Sequence, residues 1–277
     1  GPGVVALQGD ALVGFLGAFP IPGFRGFPAV ISPEWGNGAP ADDDGQITEA
    51  MYAALAPAWV SEGRTVHLVA TFANDHAGIA AWHMLGFGGA AGDAVRGLEP
   101  VTEPAVDVTI RRATWEDVEA VLRLERALVD HLAASPAYLC GHAPSTRDDI
   151  AALLADEAYA VWLGLQDGEA VAYLLMGPAS EGACTIIRDP GTCSITGAYT
   201  EPAVRGTGIG TGLLNRGLAW AQGKGYVRCA VDFETMNPPA RRFWLRHFTP
   251  VTYALERHVD RRAVGDVGSV VRREPPP

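Results

Sequence analysis

Lysine is all but missing from this chain: Lys224 is the single one in 277 residues, and arginine carries the rest of the positive charge. We read that bias as the codon usage of a GC-rich genome rather than as chemistry. Long apolar runs are missing too, and none reaches the roughly 18 residues of a membrane-crossing helix. No secretory signal pattern opens the chain; the first residues, Gly-Pro-Gly, resemble the scar of a cleaved tag. Cysteine is scarce, and Cys140, Cys184, Cys193 and Cys229 show no C-x-x-C spacing. Reduced, mostly buried thiols in a cytoplasmic protein are therefore expected. None of the seven histidines stands at a ligand spacing with cysteine or acid partners, so no metal is expected.

What the chain has in excess is negative charge, −11 overall, with ten acids against three arginines in the first hundred residues. Such a surface repels nucleic acid and anionic lipid and favours a cationic small molecule or a basic peptide. With 48% hydrophobic residues, the length suits one large or two ordinary domains.

One pattern occurs twice. Residues 47–89 and 209–250 each read as a helix, a glycine stop, an apolar strand, an Asn-containing turn and a second helix ending near a Phe. Gly63 and Gly225 both fit the position just past a helix end. Upstream, residues 4–21 and 161–178 each read as a hairpin. The second copy alone is preceded by a strand, DVTIRRA, and by a helix opening at Thr114 with Asp117 as capping acceptor. Either the first copy is truncated at its front or it is a shortened domain. The reading is thus 1–90 for the first copy, a Gly/Pro-rich linker over 91–104, 105–260 for the second copy, and a frayed tail over 261–277.

The second copy carries the chemistry. Strand CSITGAYT runs into Arg205-Gly206-Thr207-Gly208-Ile209-Gly210-Thr211, with a helix expected to begin near Thr211. Bare backbone at a helix N-terminus, backed by one guanidinium, suits an anion. A Walker loop is excluded because no lysine follows the glycines, and G-x-G-x-x-G fails in every frame. The remaining pattern, R/Q-x-x-G-x-G/A, is met by Arg205, Gly208 and Gly210, with Pro202 in its usual place ahead of the loop. A glycine-rich turn with no ligand is the alternative.

This segment strongly resembles the pyrophosphate loop of the GNAT N-acetyltransferase superfamily, over about residues 105–258 and in shorter form over 1–90. The resemblance implies two tandem GNAT-like α/β domains, each a mixed, mostly antiparallel sheet flanked by helices. It implies acetyl-CoA or another acyl-CoA as co-substrate, bound where the fourth strand splays from the fifth. Arg205 through Thr211 would hold the pyrophosphate, and the backbone of Ala198, Tyr199 and Thr200 would pair with the pantetheine arm and polarise the thioester. Asn237, expected to cap the next helix, would contact the same arm. Direct attack by an amine would then transfer the acyl group. In the first copy Asp43, Asp44 and Gly45 fall opposite Arg205, Gly206 and Thr207, with Asp42 just ahead, so that loop is expected not to bind CoA.

The family's usual acid, a Tyr one turn into the last helix, is Trp244 here. Glu234, or Asp232, at the strand end is the candidate general base, unless either is a solvated acid or pairs with Arg241 or Arg242. Tyr199 and Tyr253 are candidate acids, each equally readable as an ordinary strand Tyr. His247 reads as a helix C-terminal cation; His131 and His142 flank the loop that the resemblance places at the acceptor pocket, but each is isolated and reads as structural. A non-catalytic acyl-CoA-binding or regulatory protein, or a scaffold of two inactive copies, would use the same fold.

Overall fold

The computed structural model describes residues 3–42, 44–102, 108–140 and 143–266. Gly1, Pro2, Asp43, the linker's Glu103 and Pro104, His142 and the tail from 267 onward lie outside the described residues. The chain divides into two compact units. One runs to Gly92 and resumes at Val251; the other spans Asp93–Pro250. No helix among the described residues is long and apolar enough to cross a membrane.

In the first unit, β1 (Gly3–Gln8) and β2 (Ala11–Gly17) form the expected antiparallel hairpin. It turns at Gly9, whose φ of +62° lies in the left-handed region. β3 (Phe19–Phe24) and β4 (Phe27–Ser32) follow as a second hairpin, and β5 (Asn37–Gly38) extends β2. Next come α1 (Gln46–Ser61), β6 (Val66–Phe72) and α2 (His76–Met84), and then β7 (Gly88–Arg96), within which the division at Gly92 falls. On α1, Thr48, Met51, Tyr52, Leu55 and Trp59 recur every three or four residues and are buried. Met51, Tyr52, Leu55 and Trp59 form a core with Leu16, Val30, Val69, Trp82 and Phe87. Inside it the Tyr52 hydroxyl lies 2.7 Å from Nδ1 of His67, which has no exposed surface.

The second unit holds β8 (Thr109–Arg112), α3 (Val118–Ala133), α4 (Arg147–Ala155), β9 (Ala160–Gln166), β10 (Glu169–Pro178) and β11 (Thr192–Thr200). It continues through α5 (Ile209–Gly223), β12 (Arg228–Glu234) and α6 (Pro238–His247). The strand order β12-β11-β10-β9-β8 is antiparallel except for the parallel β11–β12 pair. Val118, Val121, Leu122 and Leu124 of α3 pack on Val161, Leu163 and Tyr173. The Thr114–Asp117 capping box is present, ahead of a short 3₁₀ turn that leads into α3.

The repeated helix–strand–helix segment is present in both units, as α1, β6 and α2 in the first and α5, β12 and α6 in the second. Both first helices end in the same Schellman pattern: Gly63 N–H donates to Val60 and Arg64 N–H to Trp59, as Gly225 does to Gln222 and Tyr226 to Ala221. The helix starts pair Gly45 with Gly208, each in the left-handed region at the N-cap, one residue out of the register set by Gly63 and Gly225. Asp42, not Asp43, therefore stands opposite Arg205. α5 also starts earlier than expected, at Ile209 rather than Thr211.

Two boundaries differ from the sequence reading. The Gly/Ala-rich stretch taken for linker begins as strand β7, with Ala90 and Ala94 fully buried. The strand after α6, β13 (Thr249–His258), pairs antiparallel with β6 in the first unit, from Thr252 on Phe72 to His258 on Val66. A short α7 (Ala263–Asp266) follows it, within the stretch read as tail. Of the four cysteines, all free thiols, three are buried and Cys140 is exposed.

Candidate functional site

The parallel pairing of β11 with β12 runs from Thr192 on Arg228 to Ile195 on Val231 and stops there. β11 nevertheless continues to Thr200 and stays paired with β10. At the point of separation the register passes from Gly197 on Leu175 to Ile195 on Met176, so Thr196 is an extra, bulged residue that bends β11. Glu201 N–H donates to the Val171 carbonyl. Antiparallel alternation from that bond turns the amides of Ala198 and Thr200 into the gap, while that of Tyr199 faces β10. Beyond Ile195 that edge of β11 is left unpaired by β12.

Below the gap lies the glycine loop. Gly206 and Gly208 have φ of +79° and +96°, values a side chain would strain. Gly208 is the N-cap of α5 and makes no side-chain capping bond. The first intrahelical bond is Gly212 N–H to the Gly208 carbonyl. The amides of Ile209, Gly210 and Thr211 thus face outward at the positive end of the helix dipole, and no acid occupies the first turn. A Cβ on Gly210 would stand 3.3 Å from Phe243, which fixes the loop against α6. Arg205 Nε donates to the Thr200 carbonyl at 2.9 Å, and its guanidinium lies 5.6 Å from the Tyr199 ring centroid.

Gap and loop open into one cavity of about 420 Å³. Every predicted CoA-binding residue except Thr207 lines it: Ala198, Tyr199, Thr200, Arg205, Gly206, Gly208, Ile209, Gly210, Thr211 and Asn237. The Thr207 hydroxyl instead donates to the Val204 carbonyl at 2.8 Å, bracing the turn from behind.

The candidate bases are elsewhere. Neither Glu234 nor Asp232 lines the cavity. Crowding at the strand end and the charges of Asp93 and Glu234 raise the Asp232 carboxyl to about 6, although part of its surface stays open to water. Tyr253 packs on the core of the first unit and is likewise not a lining residue. Trp244 is buried between Phe243 and Phe248, with ring centroids 4.8 and 5.6 Å away, and its indole lines the cavity at the place of the family's usual acid. Burial, with Arg96 and Arg246 nearby, lowers the pKa of His247, which favours neutral imidazole over the helix-end cation expected.

Asn237 stands at the N-cap of α6 without capping it. Its Oδ1 lies 3.3 Å from Nε2 of His131, whose ring centroid is 6.2 Å from that of Tyr199. His131 was an isolated histidine in the sequence; only the fold brings α3, β11 and α6 together around it. Thr102, Tyr173, Phe243 and Arg246 also line the cavity without any sequence signal. Thr102 comes from the supposed linker, held because Asn215 exchanges two hydrogen bonds with the Val101 backbone, at 2.7 and 2.8 Å.

At the corresponding place in the first unit there is only a cleft of about 20 Å³, lined by Gly45, Thr48, Asp75, Gly78, Ala81 and Trp82 among others. A Cβ on Gly45 would stand 2.9 Å from that of Ala81. The Asp75 carboxylate caps α2 by accepting from Gly78 N–H at 2.9 Å. Among the described residues no group of three or more His, Cys, Asp or Glu side chains is placed to hold a metal ion.

Several solved structures are similar in fold. A functionally unknown conserved protein from Staphylococcus epidermidis shares 12% identity over 85% of this chain and 85% of its own, with a TM-score of 0.46. An aminoglycoside acetyltransferase from an uncultured soil metagenomic sample, solved with sisomicin, shares 16% over 50% of this chain and 86% of its own, with a TM-score of 0.41. A ribosomal-protein-alanine N-acetyltransferase from Brucella melitensis biovar Abortus shares 16% over 50% and 89%, with a TM-score of 0.39. No curated protein matches the sequence. Residues 126–248, from the middle of α3 through α6, match the acetyltransferase (GNAT) family.

Proposed function

We propose that the second unit binds an acyl-CoA, acetyl-CoA first among them, and transfers the acyl group to a primary amine by direct attack. The observation that carries this reading is the coincidence, in one cavity, of a strand edge opened beyond Ile195 and an uncapped helix N-terminus with Arg205 beside it. The diphosphate would lie on the amides of residues 209–211, since a phosphate gains from both their hydrogen bonds and the helix dipole. The pantetheine arm would pair with Ala198 and Thr200, and Tyr199 would stand beside the thioester. The acceptor is a neutral amine at the moment of attack. The acidic balance of the chain favours one that is otherwise cationic, such as a polyamine, an aminoglycoside or a basic peptide.

The first unit, with its closed cleft and with Asp42 and Asp44 at the start of α1, is given a structural role and no CoA. Titration calorimetry with acetyl-CoA, followed by thiol-release assays against a panel of amines, tests the whole reading. Binding with thiol release supports it, and absence of binding at saturating ligand refutes it. A second reading, an acyl-CoA-binding regulator, is favoured by one observation: Trp244 fills the place of the usual acid. It predicts binding without thiol release from any acceptor.

A further inference from the structure

Acyl transfer to an amine requires that a proton leave the nitrogen and that another reach the departing sulfur. Among the described residues no carboxylate lines the cavity. Its titratable walls are Tyr173 from β10, Tyr199 from β11, Arg205 from the loop, His131 from α3, and Arg246 and His247 from α6. The arginines stay charged at any working pH. Burial and the Glu125 charge push the Tyr173 hydroxyl far up, so it stays protonated. His247 stands ten residues beyond Asn237 along α6, about 15 Å of helix, and its ring packs on Phe243 at 4.9 Å.

His131 differs from all of these in position. It faces Tyr199, the residue between the two amides that turn into the gap, and it meets Asn237 on the opposite wall. We propose that His131 is a catalytic residue that takes the proton of the attacking amine and returns it to the CoA thiolate, with Asn237 positioning its ring. The proposal rests on the acyltransfer reading above. Asn237 Oδ1 accepts the Nε2 hydrogen, so Nδ1 keeps the lone pair that a base needs.

The step balances. The amine lone pair forms the C–N bond, and the C–S bond breaks with its electrons going to sulfur. One N–H proton passes to Nδ1 and from the imidazolium to the thiolate, giving the amide, free CoA thiol and neutral His131. A single shuttle of this kind needs no second acid, which accounts for a tryptophan at position 244.

The test measures thiol release from acetyl-CoA between pH 5 and 10 with spermidine, sisomicin, an alanyl peptide and hydroxylamine as acceptor probes. His131→Gln should lower kcat/KM by about 10²–10⁴-fold and abolish the acidic limb of the pH profile. Acetyl-CoA affinity by calorimetry should stay within about threefold. His247→Gln should keep the acidic limb, and added imidazole should partly restore His131→Ala. If His131→Gln retains the limb and a rate within about threefold of wild type, the proposal falls and acyl transfer stands. If the wild type binds acetyl-CoA but releases no thiol with any probe, the proposal falls and the regulatory reading replaces it. If the wild type binds no acetyl-CoA, both fall.

Discussion

Arg205→Glu separates a phosphate cradle from a glycine-rich turn. Arg205 is already oriented: Nε is used by the Thr200 carbonyl, and the guanidinium leans on Tyr199. Neither Nη group has a protein acceptor among the described residues, so the fork is available to an anion. Losing a charge-assisted hydrogen bond to a phosphate costs about 1.5–3 kcal/mol, roughly 40-fold in affinity at the middle of that range. That is the expectation for Arg205→Gln. A carboxylate at about 6 Å from a phosphate charge adds about 3 kcal/mol at an effective dielectric of about 20, cut to about 1–2 by salt in a site open to solvent. Arg205→Glu should therefore bind acetyl-CoA about 200–1000-fold more weakly than wild type, and the gap between the two variants should narrow as ionic strength rises. Titration calorimetry reads both, with acetyl-pantetheine, which lacks the diphosphate, as the control ligand. A Kd for acetyl-CoA within about threefold of wild type in Arg205→Glu would refute the assignment. So would an equal loss for acetyl-pantetheine, because that would mean the substitution had only disturbed the strand end.

The remaining predictions concern the scaffold. Arg25→Glu breaks the part-buried contact with Glu256 at 3.1 Å and opposes two carboxylates, so the thermal midpoint should drop by the equivalent of about 1–3 kcal/mol while acetyl-CoA affinity is unchanged. Burial, and the nearby Arg257 charge, lower the pKa of His67 to about 4 from an ordinary value near 6.5, against the pull of its bond to the Arg64 carbonyl. The folded state therefore binds that proton less well than the unfolded one. The stability concerned is present above about pH 6.5 and lost as pH falls toward 4, at most about 3 kcal/mol. Urea unfolding across that window should show the slope, and His67→Gln should flatten it; an equal slope in both would refute the assignment. Gly208→Ala places a side chain at φ of +96° and should cost about 1–2 kcal/mol in unfolding free energy and weaken acetyl-CoA binding, whereas unchanged affinity would show that this turn does not shape the cradle.

The parts of the fold that sequence made legible were set by local rules. A glycine just past a helix, a capping box and a hairpin turn each depend on a few neighbouring residues, and Gly63, Gly225, Thr114 and Asp117 all behave accordingly. The glycine loop was legible for the same reason, since glycine spacing determines its turn at Gly206 and Gly208. What failed depends on partners far along the chain. β7 looked like a linker because its small residues carry little hydrophobic signal, yet Ala90 and Ala94 are small where the packing leaves no room. β13 reads as a strand in any register; nothing in it announces that it pairs with β6. Glu234 reads as a candidate base because it stands at a strand end, but which way a strand-end carboxylate points depends on which face the sheet buries. His131 lacked any local signal, because its partners come from β11 and α6.

The two copies share so much backbone that their difference must lie in a few polar groups, and two positions show how. At the start of the first helix both have a left-handed glycine and therefore the same uncapped amides, but Asp42 stands where Arg205 stands, and Ala81 closes on Gly45. At the start of the second helix, Asp75 in one copy corresponds to Asn237 in the other. A carboxylate is a strong acceptor with no donor of its own, so it turns back onto Gly78 N–H and remains with its own helix. An amide caps with its oxygen about as well, but it is neutral and so held less strongly by the positive end of the helix dipole, and its oxygen can give up the cap to accept from a ring nitrogen across a cavity, as that of Asn237 does from His131. Asp75→Asn alone would therefore be too little to open the first copy, because Ala81 still fills the space, whereas Asn237→Asp would draw the side chain back onto α6 and leave His131 without its acceptor. The asymmetry between a closed copy and an open one follows from which polar groups remain bound to their own helix.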